Sequence, residues 1–189
     1  MNEEIILGVD PGTLIMGYAL IKAGPIKSEL ITLDVFNLKK QPDQASKLKL
    51  IFEFISQIID RYHPSTLAIE APFLGKSAQS MLKLGRAQGV VMAACIHKGL
   101  SIYEYSPRKI KQSVTGNGSA AKEQVAAMLK RMYPIPDDIR YFDATDALAA
   151  AICHHLQNRL QLGSQKHFSG WESFISKNSN RIINKDNKV

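Results

Sequence analysis

Two short apolar runs in this chain each end in an acidic residue. Asp10 follows the run Ile5–Val9, and Glu70 follows the run Leu67–Ile69. Apolar runs of this length, bounded by turn residues, are typical of buried strands. An ionised carboxylate beside a buried strand is costly unless a positive charge compensates it. The pattern therefore predicts a sheet with an acidic end that binds cations.

Two further acidic residues, Asp143 and Asp146, open an alanine-rich stretch. They are three residues apart, so in a helix they share one face, where like charges repel unless a cation lies nearby. The alanines that follow allow this helix to pack very close to a neighbouring element. A third and a fourth carboxylate are therefore available to the same cation site.

Each acidic residue, taken alone, also has an ordinary structural interpretation. Asp10 begins a Pro-Gly turn, and Glu70 at a strand exit can simply face water. Asp143 can cap its helix, while Asp146 interacts with the helix dipole. The combination favours a metal site. Mg²⁺ or Mn²⁺ is expected because these ions prefer carboxylate oxygens and the sequence offers no Cys or His cluster for softer metals.

Length and charge limit the classes of protein. The 189 residues suffice for one domain with a sizeable core, and the net charge of +7 favours a polyanionic partner, although the basic residues are scattered as on an ordinary solvated surface. The apolar runs are too short for a membrane span, and the N-terminus has no basic signal segment, so we expect a cytoplasmic protein without a membrane role. Cys95 and Cys153 lie in apolar, helix-like contexts typical of buried thiols.

The order of periodic segments predicts a mixed α/β sheet flanked by helices, beginning with consecutive antiparallel strands. The predicted strands are residues 4–9, 17–23, 29–36, 67–69 and 100–105. The predicted helices are residues 44–62, 77–98, 107–114, 120–132 and 143–160. Ser106 and Ser119 are the expected N-caps of the third and fourth helices. Residues 1–160 are expected to form the domain, and 161–189 a flexible basic tail.

Three segments together closely resemble the RuvC family of Holliday-junction resolvases, within the RNase H-like nuclease superfamily. They are Gly8-Val9-Asp10-Pro11-Gly12-Thr13, Ala68-Ile69-Glu70 and Asp143-Ala144-Thr145-Asp146-Ala147-Leu148-Ala149. Segments 82–89, 105–112 and 116–122 are also similar, and the similarity runs from about Ile5 to His154. The tail carries none of it.

This resemblance implies an RNase H-like five-stranded mixed sheet flanked by helices, in a protein that acts as a homodimer. It implies a divalent-metal endonuclease of homologous recombination and DNA repair that nicks two strands of a four-way DNA junction symmetrically. The products would carry 5′-phosphate and 3′-hydroxyl ends. It also implies a partnership with the branch-migration motor proteins RuvA and RuvB.

The resemblance assigns catalytic roles to the four acidic residues. Asp10 resembles the central carboxylate that contacts both of two metal ions. Glu70, Asp143 and Asp146 resemble the rest of the tetrad, and the position of Asp143 is histidine in some relatives. All four are therefore expected to be both catalytic and metal-binding, with Mg²⁺ as the cofactor and Mn²⁺ as a substitute.

The resemblance also assigns roles to basic and aromatic residues. Lys111 and Lys122 match basic residues near the scissile phosphate, although lysines on helices are usually just solvated. Phe73 matches an aromatic that stacks on a base near the junction centre, although it could instead fold back onto the core, and Pro72 before it departs from the family pattern. The other residues expected to bind DNA are Lys76, Lys83, Arg86 and Arg108.

Gly85 and Gly89 are four residues apart on the predicted second helix, a spacing that permits close helix contact. The resemblance places the dimer interface here. The alternative is contact with the protein's own sheet. A dimer suits the substrate, because paired identical sites can nick two strands related by two-fold symmetry.

Three other functions use parts of the same pattern. A nuclease for RNA–DNA hybrids would use the same carboxylates, and dimerisation with a preference for branched DNA would distinguish the two. An actin-like ATPase or sugar kinase would use the turn after Asp10 as a phosphate loop, but such folds need a second comparable domain, for which this chain is too short. A non-catalytic junction-binding protein would not need all four carboxylates.

Overall fold

The five predicted strands form one mixed sheet in the order β3-β2-β1-β4-β5 in a computed structural model of the chain, which describes residues 3–72, 77–135 and 142–163, with side chains to 159. The strands are β1 Glu4–Asp10, β2 Ile15–Ala23, β3 Ser28–Asn37, β4 Thr66–Glu70 and β5 Ser101–Tyr105. β1, β2 and β3 are antiparallel neighbours, whereas β4 runs parallel to β1 and β5 parallel to β4. The predicted mixed sheet and its antiparallel start are confirmed.

Five helices accompany the sheet. They are α1 Gln44–Tyr62, α2 Ala78–His97, α3 Pro107–Thr115, α4 Lys122–Met132 and α5 Phe142–Gly163. The chain divides into two units, Met1–Gln157 and Asn158–Val189. The elements described here belong to the first unit, apart from the last residues of α5. Among the described helices, none combines the length and the hydropathy that crossing a membrane requires.

The two faces of the sheet bury different side chains. Successive residues of a strand point to opposite faces, so in β1 Ile6 joins the cluster formed with α3, α4 and α5, while Leu7 joins the cluster formed with α1 and α2. Both predicted buried thiols are confirmed, Cys95 in the second cluster and Cys153 in the first. The sheet is therefore covered on both faces, and its ends remain for a site.

Helix starts follow the sequence in one case and depart from it in another. The Ser106 hydroxyl accepts a hydrogen bond from the Lys109 N–H, with Pro at the start of α3, as predicted. The prediction of Ser119 as the N-cap of α4 is wrong, since the N-cap is Ala121. The Gln124 side chain accepts from the Ala121 N–H at 2.9 Å, while the Ser119 N–H donates to the Asn117 side chain, so the turn before α4 uses Ser119 and the helix begins after it.

Helix α5 lies directly against β1 and β2. A Cβ added at Gly8 would lie 2.1 Å from the carbonyl oxygen of Ala147, and one added at Gly17 would lie 1.9 Å from that of Asp143. Neither distance is possible for a real side chain, so both positions need glycine. The predicted close packing of the alanine-rich helix is confirmed, with the two strands as its partners, and its first turn is held near the end of β1.

Candidate active site at the carboxyl end of the sheet

Asp10 and Glu70 are the last residues of two neighbouring parallel strands. Val9 of β1 is aligned with Ile69 of β4, so the acidic residues that follow them leave the sheet at the same edge. Asp143 lies in the first turn of α5, so it is part of the helix itself, and Asp146 follows one turn later. The structure thus brings all four predicted carboxylates to one end of the sheet.

The pKa of Asp10 shows how closely these carboxylates interact. It is raised from 3.8 to about 7, first by burial and then by the negative charges of Asp146, Glu70 and Asp143, against the opposing effect of Lys122. The pKa of Glu70 is also raised, by burial and by Asp146. A raised pKa of this origin marks an acidic cluster that lacks compensating positive charge.

The described acidic side chains do not form a complete coordination site for a metal ion. Among the described residues, no group of three or more His, Cys, Asp and Glu side chains is arranged to hold an ion. Instead, the ammonium of Lys122 donates a hydrogen bond of 2.6 Å to Oδ2 of Asp146. This lysine supplies part of the positive charge that the carboxylates need. The donor set itself, four carboxylates with one largely desolvated, suits a divalent cation.

Lys111 and Lys122 line a cleft of about 80 Å³ together with Glu70 and Asp146. Lys111 is on α3, and Lys122 is the first residue of α4. Both lower the pKa of Glu70 through their positive charge. The apolar part of the wall is formed by Pro107, Ile110, Val125 and Ala149. The cleft therefore combines two acids and two lysines on an apolar support, a charge pattern suited to a metal-dependent contact with phosphate.

The other predicted DNA-binding residues are more peripheral. Lys83 and Arg86 are exposed on α2, and Arg108 is exposed on α3. A Cβ added at Gly118 would lie 2.6 Å from Cγ of Arg108, so this glycine makes room for the arginine stem. Phe73 and Lys76 lie outside the described residues.

The exposed surface of α2 carries the two glycines. No described atom lies within 4 Å of a Cβ added at Gly85 or Gly89. The alternative prediction, that they contact the protein's own sheet, is therefore wrong for the described part of the chain. Two large apolar side chains share this surface, Leu82 and Ile96, each 63% exposed. Leu82, Gly85, Gly89 and Ile96 follow helical spacing, so they form a stripe along one face of α2. The stripe consists of apolar or small residues and is exposed.

Gln88 is a supporting residue that our sequence reasoning missed. It is buried on α2, and its Nε2 lies 3.4 Å from the carbonyl oxygen of Glu70 and 3.3 Å from Oε2 of Glu104. Next to it, the Ala71 N–H donates to the carbonyl oxygen of Tyr105, which fixes the backbone just after β4. The sequence did contain an indication of this contact, namely a polar amide side chain among the apolar positions of a helix. Buried polar groups are generally hydrogen-bonded, so such a residue is expected to have a partner.

Thr145 supports the first turn of α5. It is buried between the two acidic residues of α5, and its hydroxyl donates to the carbonyl oxygen of Phe142 at 2.8 Å. This bond satisfies a backbone group in the first turn, where Asp143 lies. The first turn is therefore fixed both by its own side chain and by its contact with Gly17.

Comparison with known proteins gives one consistent family. A profile of "Crossover junction endodeoxyribonuclease RuvC" matches residues 6–154. The curated protein of that name from Cytophaga hutchinsonii is 52% identical over 180 residues, covering 95% of this chain and 88% of the relative. The one from Bacteroides fragilis is 50% identical over 184 residues, covering 96% and 97%.

A solved structure supports the same fold. Thermus thermophilus RuvC in complex with a Holliday junction substrate aligns with a TM-score of 0.77 at 28% identity, covering 84% of this chain and 96% of that one. The matched part of this chain includes β1, β4 and the start of α5, because the family profile runs from residue 6 to residue 154. The three elements that carry the acidic residues thus lie in the part of this chain that matches the family.

Proposed function

Because this chain belongs to the RuvC family of crossover junction endodeoxyribonucleases, we propose that it resolves Holliday junctions at the carboxyl end of its sheet. Its activity is that of an endonuclease on the phosphodiester bonds of junction DNA. The observation that carries the location is the coupling of Asp10 to three other carboxylates. Acids from two strand ends and a helix start are placed together where packing alone would keep them apart.

The four carboxylates Asp10, Glu70, Asp143 and Asp146 would hold divalent cations, with Mg²⁺ as the natural ion, Mn²⁺ as a substitute and two ions per site. When bound, such a pair of ions supplies an activated water on one side of the scissile phosphate and stabilises the leaving oxygen on the other. Asp10 has the central role, because its charge interacts with each of the other three acids. Its burial at the end of β1 keeps bulk water from screening those charges.

Lys111 and Lys122 would donate hydrogen bonds to the non-bridging oxygens of the scissile phosphate. Both line the cleft that contains Glu70 and Asp146, so a phosphate next to these acids lies within reach of both ammonium groups. Charge-assisted hydrogen bonds of this kind compensate the negative charge that builds up during hydrolysis. Cleavage gives a 5′-phosphate and a 3′-hydroxyl end, which can be religated.

DNA would reach the cleft over a basic surface that includes Lys83, Arg86 and Arg108. All three are exposed, and the chain as a whole carries a net charge of +7. Contacts to phosphates by such residues are independent of base sequence. Phe73, with Lys76 nearby in sequence, would add base stacking close to the junction centre.

The active form would be a homodimer joined through α2, in which two sites nick two strands symmetrically. The open stripe of Leu82, Gly85, Gly89 and Ile96 supports this arrangement, because apolar and small residues exposed along one helix face are suited to self-association. The enzyme would work in the cytoplasm, after the RuvA and RuvB motor proteins have moved the junction.

A synthetic four-way junction tests the proposal directly. With Mg²⁺, the wild-type chain should produce paired nicks at symmetric positions, and DNA ligase should reseal them. EDTA should stop cleavage, and Asp10→Asn should bind the junction without cutting it. Cleavage by Asp10→Asn at the wild-type rate would contradict the assignment of the site. A preference for an RNA–DNA hybrid over the junction would favour the related hybrid nuclease instead.

A further inference from the structure

The contact between Lys122 and Asp146 differs from the other ion pairs in the described part of the chain. Its nitrogen–oxygen distance is 2.6 Å, against 2.7 to 3.7 Å for the pairs Lys22–Glu3, Lys49–Glu53 and Lys98–Asp60. The Asp146 side chain is only 17% exposed, whereas the acidic partners of the other pairs are 46% to 65% exposed. Surface pairs contribute little, but a lysine on a poorly solvated carboxylate compensates charge that water cannot.

The position of Lys122 in its helix makes this contact more informative. It is the first residue of α4, where the helix dipole disfavours a cation. Burial lowers the pKa of its ammonium, but the hydrogen bond to Asp146 and the negative charges of Asp146, Asp10 and Glu70 outweigh it, so that the pKa is raised. Attraction by the acidic cluster, rather than the helix, therefore accounts for where this ammonium lies.

Lys111 provides a natural contrast within the same cleft. It carries the same charge and lowers the pKa of Glu70. Within the described residues, however, it makes no ion pair or side-chain hydrogen bond with a carboxylate. The two lysines thus share an electrostatic environment, but only Lys122 occupies a carboxylate oxygen.

We propose that Lys122 is a counterion that a divalent cation must displace from Asp146, so that filling the metal site releases this lysine to the DNA phosphate. The proposal rests on the metal site of the proposed function. The ammonium on Oδ2 of Asp146 and a divalent cation at the same carboxylate repel each other, so they compete for this side chain. The flexible four-carbon stem of lysine lets the displaced ammonium turn outward.

Displacement links the two binding events. Metal binding without DNA must break the Lys122–Asp146 contact and leave the ammonium without a partner. When DNA is present, its phosphate accepts the released ammonium. Metal and junction should therefore each strengthen the binding of the other, as any coupling between two sites requires. Lys122 thereby has two roles, one before the metal binds and one during cleavage.

Metal binding to the full-length chain without DNA tests the proposal. We would titrate Mn²⁺ and follow the free ion by electron paramagnetic resonance in wild type, Lys122→Met, Lys111→Met and Asp10→Asn. Lys122→Met should bind Mn²⁺ about three- to tenfold more tightly than wild type, the scale of one partly screened charge-assisted hydrogen bond. Lys111→Met removes the same charge without removing a competitor, so its gain should be smaller. Junction cleavage by Lys122→Met should nevertheless fall.

The outcomes separate this inference from the function it rests on. Unchanged Mn²⁺ binding in Asp10→Asn would show that the metal site is elsewhere and would overturn the site assignment itself. In a second outcome, Asp10→Asn loses Mn²⁺ binding as expected, but the gain in Mn²⁺ affinity is no larger in Lys122→Met than in Lys111→Met. This outcome would overturn only the displacement of Lys122.

A second measurement does not depend on affinity. In protein with ¹⁵N-labelled lysine side chains, the ammonium signal absent from Lys122→Arg is that of Lys122. Saturating Mg²⁺ should move or broaden this signal through loss of its partner, while the signals of distant surface lysines should stay in place. A Lys122 signal that is unchanged at saturating Mg²⁺ would contradict the proposal.

Discussion

Asp10 and Gly17 face each other across the antiparallel ladder of β1 and β2, and the missing side chain of Gly17 makes room for the first turn of α5. A Cβ at this glycine would lie 1.9 Å from the carbonyl oxygen of Asp143 and 2.2 Å from its carbonyl carbon. Both of these are backbone atoms, which cannot rotate away as a flexible side chain can. The distance between the acids of the strand and those of the helix therefore depends on a residue that has no functional group.

Gly17→Ala should push the first turn of α5 away from β1. Forced overpacking of this kind typically costs about 1–3 kcal/mol of unfolding free energy, and cleavage should fall as well, because Asp143 moves relative to Asp10. Urea unfolding and junction cleavage well below the melting temperature measure the two effects. Gly89→Ala, where nothing described lies within 4 Å of the added carbon, is the control for the unfolding measurement alone, because it lies in the proposed dimer surface, and it should not lose stability. A stable and fully active Gly17→Ala would show that the contact is not needed.

The stability of the metal-free protein should depend on pH through Asp10. Its pKa is raised from 3.8 to about 7 on folding, so the folded state favours the protonated acid. The resulting stability is fully present below about pH 4 and is lost as the pH rises through about 7, by at most about 4 kcal/mol. In EDTA, Asp10→Asn should therefore be more stable than wild type at pH 8, and the difference should vanish near pH 4. Mg²⁺ at pH 8 should reverse the order. Equal melting temperatures in EDTA at pH 8 would contradict the shift.

Gln88→Leu should weaken the support of Glu70. The substitution leaves the Glu70 carbonyl and the Glu104 carboxylate without this donor, and the loss of these partly buried hydrogen bonds should cost about 1 kcal/mol. Cleavage and Mn²⁺ affinity should both fall, because the end of β4 loses an anchor. Gln157→Leu is the matched control, since its amide donates a similar bond of 3.4 Å to Ser113 away from the acids. Equal effects of both substitutions on Mn²⁺ affinity would argue against a positioning role for Gln88.

Leu82→Glu should prevent dimerisation. The side chain is 63% exposed, so a charge here does not disturb the folded monomer but would be buried in an interface through α2. Analytical ultracentrifugation should show monomers, with junction nicks no longer paired. Met132→Glu places the same charge on an exposed apolar position of α4 and should stay dimeric. Dimers of Leu82→Glu at the wild-type dissociation constant would move the interface to another surface.

Local patterns in the sequence were enough to predict the elements. Apolar periodicity predicted the helix of residues 44–62 with the bounds that α1 has, and the strand ends at Asp10 and Glu70 were correct to within one residue. The prediction of four acidic residues at one place used the order of motifs and the family resemblance. The predictions of the helix, the strand ends and the acidic site all rest on segments whose own residue patterns indicate the structure. Tertiary contacts did not override those patterns.

Two features could not be predicted because they depend on contacts between distant segments, and a third was missed for a local reason. That Lys122 would bind Asp146 depends on the packing of α4 against α5, and the need for glycine at position 17 depends on a helix much later in the chain. The use of Ala121 as an N-cap depends on the Gln124 side chain reaching back, whereas Ser119 had the better intrinsic preference. For Lys122 and Gly17 the deciding partner is outside the window that a local pattern covers, whereas for Ala121 it is three residues away.

The strand order also determines how well the site resists local unfolding. β1 has two strands on each side, so it is the innermost strand of the sheet. Edge strands exchange their amide hydrogens through small local openings, whereas an innermost strand exchanges only when the whole domain unfolds. The backbone that carries Asp10 should therefore be among the last parts of the protein to open. Heat or denaturant should loosen β3 and β5 first, and the carboxylate that we propose as the central metal ligand should keep its place until cooperative unfolding.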